Sequence, residues 1–104
     1  MNSTIQENFA VGSLGEVYAA AGKRDEAQKI LEKLDQLSRH EYVPSYPVAR
    51  IYMALGEPEE ALRWLETAYT EHSAMMMLVK VDPRFGELHP DRRFRDILRR
   101  MKLL

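Results

Sequence analysis

The sequence LGEVYAAAGKRDEAQKILEKL at residues 14–34 returns in altered form as VARIYMALGEPEEALRWLETA at residues 48–68. When the chain is aligned with itself at an offset of 34 residues, seven positions in this stretch are identical. The identical pairs are Tyr18 and Tyr52, Ala20 and Ala54, Gly22 and Gly56, Glu26 and Glu60, Ala27 and Ala61, Leu31 and Leu65, and Glu32 and Glu66. Self-similarity at this interval is typical of a repeated unit of two helices joined by a tight turn. The stretch therefore predicts an all-α superhelix of α-α hairpins.

Apolar spacing and turn residues predict where the helices of the first unit lie. Leu14, Val17, Tyr18 and Ala21 follow the i, i+3, i+4, i+7 pattern of a helix with one apolar face. Gly22 should end this helix, because glycine adopts a left-handed conformation without steric cost. A second helix is expected over about residues 24–40, with its apolar face formed by Ala27, Leu31, Leu34 and Leu37.

The second unit starts after two prolines that exclude a continuous helix, Pro44 and Pro47. Ser45 is expected to cap the next helix at its N-terminus. That helix should end at Gly56, and Pro58 suits the first turn of the helix that follows.

Beyond residue 72 the repeated residue types are lost, and the sequence predicts a shorter closing unit. Ser73 is expected to cap a short helix over residues 75–79, and Asp82 and Pro83 should start a turn that runs through Phe85. Pro90 and Asp91 should open a final helix with an apolar stripe of Phe94, Ile97, Leu98 and Met101. We expect one domain made of a first repeat at about 9–40, a second at about 43–72, and a divergent capping unit at 73–104 that closes the array.

Length and composition narrow the function. The chain has 104 residues and a formal net charge of −1, which fits one small domain and does not mark the whole chain as a polyanion binder. It has no cysteine, so disulfides and thiolate metal sites are excluded. The three histidines lack metal-binding spacing, and no phosphate loop or catalytic motif is found. We therefore expect no catalytic residue, no cofactor and no metal, and we predict that the chain is not an enzyme.

The repeated residues resemble the tetratricopeptide repeat. The motif is carried by Leu14, Gly15, Tyr18, Gly22, Ala27 and Leu31 in the first unit, and by Tyr52, Gly56, Ala61, Leu65 and Ala68 in the second. Residues 42–56, 78–85 and 91–94 are also similar to C-terminal repeat regions of large bacterial signalling proteins. The resemblance implies a cytoplasmic interaction or scaffolding module whose partner is a protein or peptide, including other domains of a larger parent chain.

In proteins of this family, ligands bind on a concave face lined by the first helix of each unit. The resemblance places Phe9, Gly12, Glu16 and Ala19 of the first unit at the groove positions, with Val43, Tyr46, Arg50 and Met53 of the second. The expected partner-binding groove consists of Phe9, Glu16, Tyr46, Arg50 and Met53. Alternatively, these residues are ordinary surface or pack against a further repeat. We also expect self-association, as a homodimer, through the first helix.

The final helix offers a different interpretation, because residues 91–104 hold six basic residues against two acidic ones. A basic face of Arg92, Arg93, Arg99 and Arg100 is compatible with nucleic acid or an anionic membrane. Arginines near a helix C-terminus are favourable in any helix, however, and the apolar stripe is needed to close the array. We therefore expect the helix to cap the domain, with nucleic acid or membrane as the alternative partner. Similarly, Met75, Met76 and Met77 are expected to fill a gap in the core rather than to form a flexible binding patch.

Overall fold

A computed structural model describes residues 3–40 and 42–103 of the chain, and their side chains from residue 10 onward. The first hairpin consists of α1, Ser3–Ala20, and α2, Arg24–Leu37. Helix α1 begins well before residue 11, where the apolar spacing starts. Gly22 separates the two helices with a φ of +80°, so the predicted left-handed turn is confirmed.

The second hairpin consists of α3, Ser45–Ala54, and α4, Pro58–Thr70. Gly56 has a φ of +75° between them, and Pro58 is the first residue of α4, both as predicted. The prediction for Ser45 is wrong: Pro44 occupies the N-cap position, and Ser45 is the first helical residue. Its hydroxyl donates instead to Glu71 Oε1 at 2.9 Å, which ties the start of α3 to the end of α4.

The closing unit contains two 3-10 helices, Ala74–Leu78 and Pro83–Leu88, followed by α5, Arg92–Arg100. The side chains of Asp82 and Asp91 accept hydrogen bonds from backbone N–H groups two residues ahead, which is the capping expected there. Ser73 stands at the N-cap of the first 3-10 helix but makes no capping hydrogen bond through its side chain. Helices α2, α4 and α5 begin at residues 24, 58 and 92, so the 34-residue interval continues in the backbone after it has been lost from the sequence.

The elements form two layers. Helices α1 and α3 pack side by side, and the 3-10 helix 83–88 packs on α3 where a third repeat would place its first helix. Helices α2, α4 and α5 form the other layer. The described residues contain no strand, which agrees with the predicted all-α superhelical fold.

Two apolar clusters hold the units together. One lies between the first and second hairpins and the other between the second hairpin and the closing unit, where Phe85, Phe94 and Ile97 are fully buried. Ala27 and Ala61 are fully buried at equivalent positions of α2 and α4. Met76 fills the core as expected, whereas Met77 is largely exposed. The radius of gyration of 13.3 Å matches the roughly 13 Å of a globular domain of this length.

Candidate interaction surface

The face formed by α1, α3 and the 3-10 helix 83–88 is organised around a buried carboxylate. Asp82 Oδ2 accepts hydrogen bonds from Tyr46 Oη at 2.8 Å and from Arg50 Nε at 3.1 Å. Asp82 Oδ1 accepts from the Arg84 backbone N–H at 3.0 Å and lies 3.3 Å from Arg84 Nη1. Because one aspartate is bonded from α3 and from its own helix, the closing unit is held in one position against the second hairpin.

Glu16 brings the first hairpin into the same network. Its carboxylate contacts the Arg84 guanidinium directly and lies 4.0 Å from Arg50 Nη1. The Arg50 guanidinium also stacks on the Tyr46 ring, with Cζ 4.7 Å from the ring centroid. Two carboxylates and two guanidiniums therefore alternate across three units, and their charges balance.

The protonation states follow from these contacts. Burial raises the pKa of the Tyr46 hydroxyl, and the bonded Asp82 carboxylate raises it further, so Tyr46 remains a donor. Burial alone would raise the pKa of Asp82. The hydrogen bonds from Arg84, Tyr46 and Arg50 outweigh that effect and lower this pKa below its usual value. Asp82 is therefore a permanent anion at neutral pH.

A cavity of about 300 Å³ opens beside this network, and we call it the α1–α3 cavity. Its polar wall includes Glu16, Arg50 and Arg84, and about half of the Arg84 side chain is exposed. Met53 and the small exposed residues Ala20 and Ala54 form much of the remaining wall. The cavity offers a cation, anions and an apolar surface within reach of one ligand.

The predicted groove residues are only partly brought together. Glu16, Arg50 and Met53 line the α1–α3 cavity. Tyr46, expected on an exposed groove, is fully buried under Phe85, with the two rings edge to face at 5.4 Å, so it has no surface to offer a partner. The side chain of Phe9 lies outside the described residues.

Arg84 and Glu87 line the cavity but were missed by reasoning from sequence. The Asp82–Pro83 capping signal marks the start of their helix, but nothing in the sequence places that helix opposite α1. Gly12, Ala19 and Val43, at the other groove positions, are buried.

The basic side chains of α5 are largely engaged within the molecule. Arg93 bonds to both oxygens of Glu59, with Nη1 2.6 Å from Oε1, and its own neighbour Asp91 accepts from it as well. Arg100 bonds to Glu66 and Asp96 and lies over the Tyr69 ring at 4.8 Å. Arg99 lies 4.0 Å from Asp96. The arginines expected to form a basic face therefore neutralise acids of α4 and α5, and this supports the capping role of the helix.

Two further observations concern sites of other kinds. Within residues 3–40 and 42–103, no group of three or more histidine, aspartate or glutamate side chains is arranged to hold a metal ion. No helix in that part of the chain is both long and apolar enough to cross a membrane.

Comparison with known proteins agrees with the architecture. The family model described as tetratricopeptide repeat matches residues 18–69, half of the chain. The chain therefore belongs to the tetratricopeptide repeat family. Repeats of this family generally mediate protein–protein interaction and are generally non-catalytic. Comparison with curated proteins and with solved structures gives no significant match.

Proposed function

We propose that the chain is a scaffolding module that binds an extended peptide segment, or a projecting segment of a neighbouring domain, in the α1–α3 cavity. The observation that carries this proposal is the cavity itself, which lies between the first helices of successive units. Its partly exposed Arg84 can accept a carboxylate from a partner, while Met53 and two alanines give an apolar side chain a place to bind. The balanced charge of the wall favours a partner segment of mixed character over a polyanion.

The resemblance to repeat regions of bacterial signalling proteins supports a neighbouring domain of the same parent protein as the source of this segment. In that setting the module works in the cytoplasm and links the output of the parent to the position of its other domains. No chemistry is required of the module itself.

The experiment is a selection of peptides from a random display library, followed by affinity measurements on variants of the chain. Ala20→Glu and Ala54→Glu add bulk and charge to the cavity wall at exposed positions, so the core should stay intact. Gln36→Glu adds the same group on an exposed part of α2, outside the cavity. Selected peptides should bind the two cavity variants at least about tenfold more weakly than the control variant. Equal binding to all three would refute the proposed site.

Self-association is a second proposed function, favoured by an uncovered face of α1. Leu14 and Val17 are 45% and 62% exposed, whereas their counterparts 34 residues later, Val48 and Ile51, are 3% and 0% exposed. The same face is thus covered by the preceding hairpin in one unit and open in the other. Two copies can cover it symmetrically, α1 against α1.

Light scattering over a range of protein concentrations tests this second function. The chain should approach the mass of a dimer as its concentration rises, and a Leu14→Gln, Val17→Gln double variant should remain a monomer. A monomer of the unaltered chain at the highest concentration reached would contradict self-association.

A further inference from the structure

A second groove lies on the opposite layer of the molecule, between α2 and α4. It encloses about 210 Å³ and is separate from the α1–α3 cavity. Tyr52 of α3 and Trp64 of α4 are half-buried in its walls. The α2 side carries Glu32 and Asp35, both exposed. Two aromatic rings therefore stand opposite two carboxylates at the mouth of one groove.

The next junction along the array shows what this chain places in such a groove. Between α4 and α5, Arg93 bonds to Glu59 and Arg100 bonds to Glu66. Each arginine follows its acid by 34 residues, so each pair joins equivalent positions of successive helices. The molecule itself thus fills the α4–α5 junction with guanidinium groups.

The same positions hold only acids at the α2–α4 junction. The residues equivalent to the pair of Glu59 and Arg93 are Asp25 and Glu59, and those equivalent to the pair of Glu66 and Arg100 are Glu32 and Glu66. No residue of α4 supplies the cation that α5 supplies in the following unit. The α2–α4 groove therefore keeps its carboxylates and lacks the internal arginines.

The surrounding charges give the groove a negative character. Burial raises the pKa of the Tyr52 hydroxyl, and the carboxylates of Glu60, Glu57 and Asp35 raise it further, against the single opposing guanidinium of Arg63. Arg63 is itself bonded to Glu60, with 3.0 Å between Nη1 and Oε2. On the α2 side, Arg39 Nη2 lies 3.2 Å from Asp35 Oδ2. Neither arginine lines the groove, and each is already paired with one of the acids.

A guanidinium placed against an aromatic ring and bonded to a carboxylate is an arrangement that this molecule makes twice. Arg50 lies 4.7 Å above the Tyr46 ring and bonds to Asp82. Arg100 lies 4.8 Å above the Tyr69 ring and bonds to Glu66. Trp64 offers a stronger cation-binding face than either tyrosine. The planar guanidinium matches both a ring face and a carboxylate better than a lysine ammonium does.

We propose that the α2–α4 groove binds an arginine side chain of a partner protein, with the guanidinium against Trp64 and Tyr52 and bonded to Glu32. This surface is distinct from the α1–α3 cavity, so a partner can be held on both layers of the module. The arginine takes the position that Arg93 and Arg100 occupy at the following junction.

Trp64 is the only tryptophan in the chain, so its indole N–H signal reports directly on the groove. The experiment is an NMR titration of the isotope-labelled full chain with a blocked pentapeptide that has arginine at its centre and alanine elsewhere. Matched peptides carry glutamine or lysine at the centre. The arginine peptide should shift the signals of Trp64, Tyr52 and Glu32 in a saturable way. The glutamine peptide should not, and lysine should bind more weakly than arginine.

Two variants complete the test. Glu32→Gln should weaken the arginine peptide by about two- to fivefold, as expected for the loss of one exposed ion pair. Glu26→Gln removes the same charge from the same helix outside the groove and should leave the affinity unchanged. Melting curves verify that both variants are folded.

Several results would overturn the proposal. These are no shift of the Trp64 signal at about 10 mM arginine peptide, equal responses to arginine and glutamine, arginine bound no more tightly than lysine, and equal effects of the two variants. Shifts confined to the signals of Met53 and Arg84 would place the peptide in the α1–α3 cavity and would refute the α2–α4 groove without affecting the first proposed function.

Discussion

Replacing Asp82 with alanine should be among the most damaging single changes in this domain. The carboxylate side chain is only 3% exposed, and it is bonded to Tyr46, Arg50 and Arg84. Its removal leaves the Arg50 guanidinium, itself 16% exposed, without its closest anion. Breaking such a pair from one side typically costs about 3–5 kcal/mol. The buried Tyr46 hydroxyl also loses its acceptor, and the 3-10 helix 83–88 loses its cap. These losses overlap, so we expect a total of about 4–5 kcal/mol.

That loss is a large part of the roughly 5–15 kcal/mol that stabilises a domain of this kind. Urea unfolding followed by circular dichroism at 222 nm, the usual helix wavelength at about that value, measures it through the midpoint and slope. Asp82→Asn should cost less than Asp82→Ala, because asparagine can still cap the helix. The matched control is Asp96→Ala, since Asp96 is half exposed on α5 and pairs only with surface arginines. Its effect should stay below about 1 kcal/mol.

A double-mutant cycle locates the effect in the network. Tyr46→Phe alone should cost about 1 kcal/mol, because it removes one hydrogen bond to a charged group. In a chain that already carries Asp82→Asn, the same change should cost measurably less. A loss below about 1 kcal/mol for Asp82→Ala, or strictly additive effects of the two changes, would refute the view that this carboxylate holds the units together.

Three further predictions concern stability. Because the pKa of Asp82 is lower in the folded chain than in the unfolded one, its contribution is present at neutral pH and is lost as the pH falls through the folded value. The stability gap between the unaltered chain and Asp82→Asn should therefore shrink below about pH 4, and a constant gap in acid would contradict this assignment. Gly15→Ala should destabilise by about 1 kcal/mol, since the new methyl group would meet two isoleucine side chains at 2.7 and 2.8 Å. Gly86→Ala is its control: nothing lies within 4 Å, so thermal melting should show no loss, and equal effects would count against the packing argument. Ala61→Leu places a large side chain at a fully buried position and should cost about 1–3 kcal/mol, whereas an unchanged melting temperature would show that the register of α4 is wrong.

Much of the fold could be predicted because its signals are local. Glycine at Gly22 and Gly56 fixes two turns, and the spacing of Ala27, Leu31 and Leu34 fixes the buried face of α2. These features depend on backbone conformation and on helical periodicity, which a single sequence shows directly. The closing unit was harder to interpret, since α5 keeps the interval of helix starts but buries Phe94, Ile97 and Leu98 in place of the alanine and leucine pattern of the repeats.

The candidate site could be predicted only in part, because exposure depends on what lies across the interface. Tyr46 stands at a position where the family places groove residues, yet Asp82 and Phe85, almost 40 residues later, cover it. The bonds of Arg93 and Arg100 to α4 had a signal that was available, since each arginine lies 34 residues after a glutamate. Recognising that signal required the knowledge that the repeat interval continues past residue 72.

The contact of Glu16 with Arg84 has a consequence for how this small array unfolds. In most arrays of helical repeats each unit contacts only its immediate neighbours, so unfolding can start at either terminus and proceed stepwise. Here a side chain of the opening hairpin is bonded to one of the final unit, across the hairpin between them. Fraying of either terminus must break this link, which favours a concerted loss of structure. Amide exchange should therefore slow to similar degrees in α1 and in residues 83–88, as though the module were a single globule.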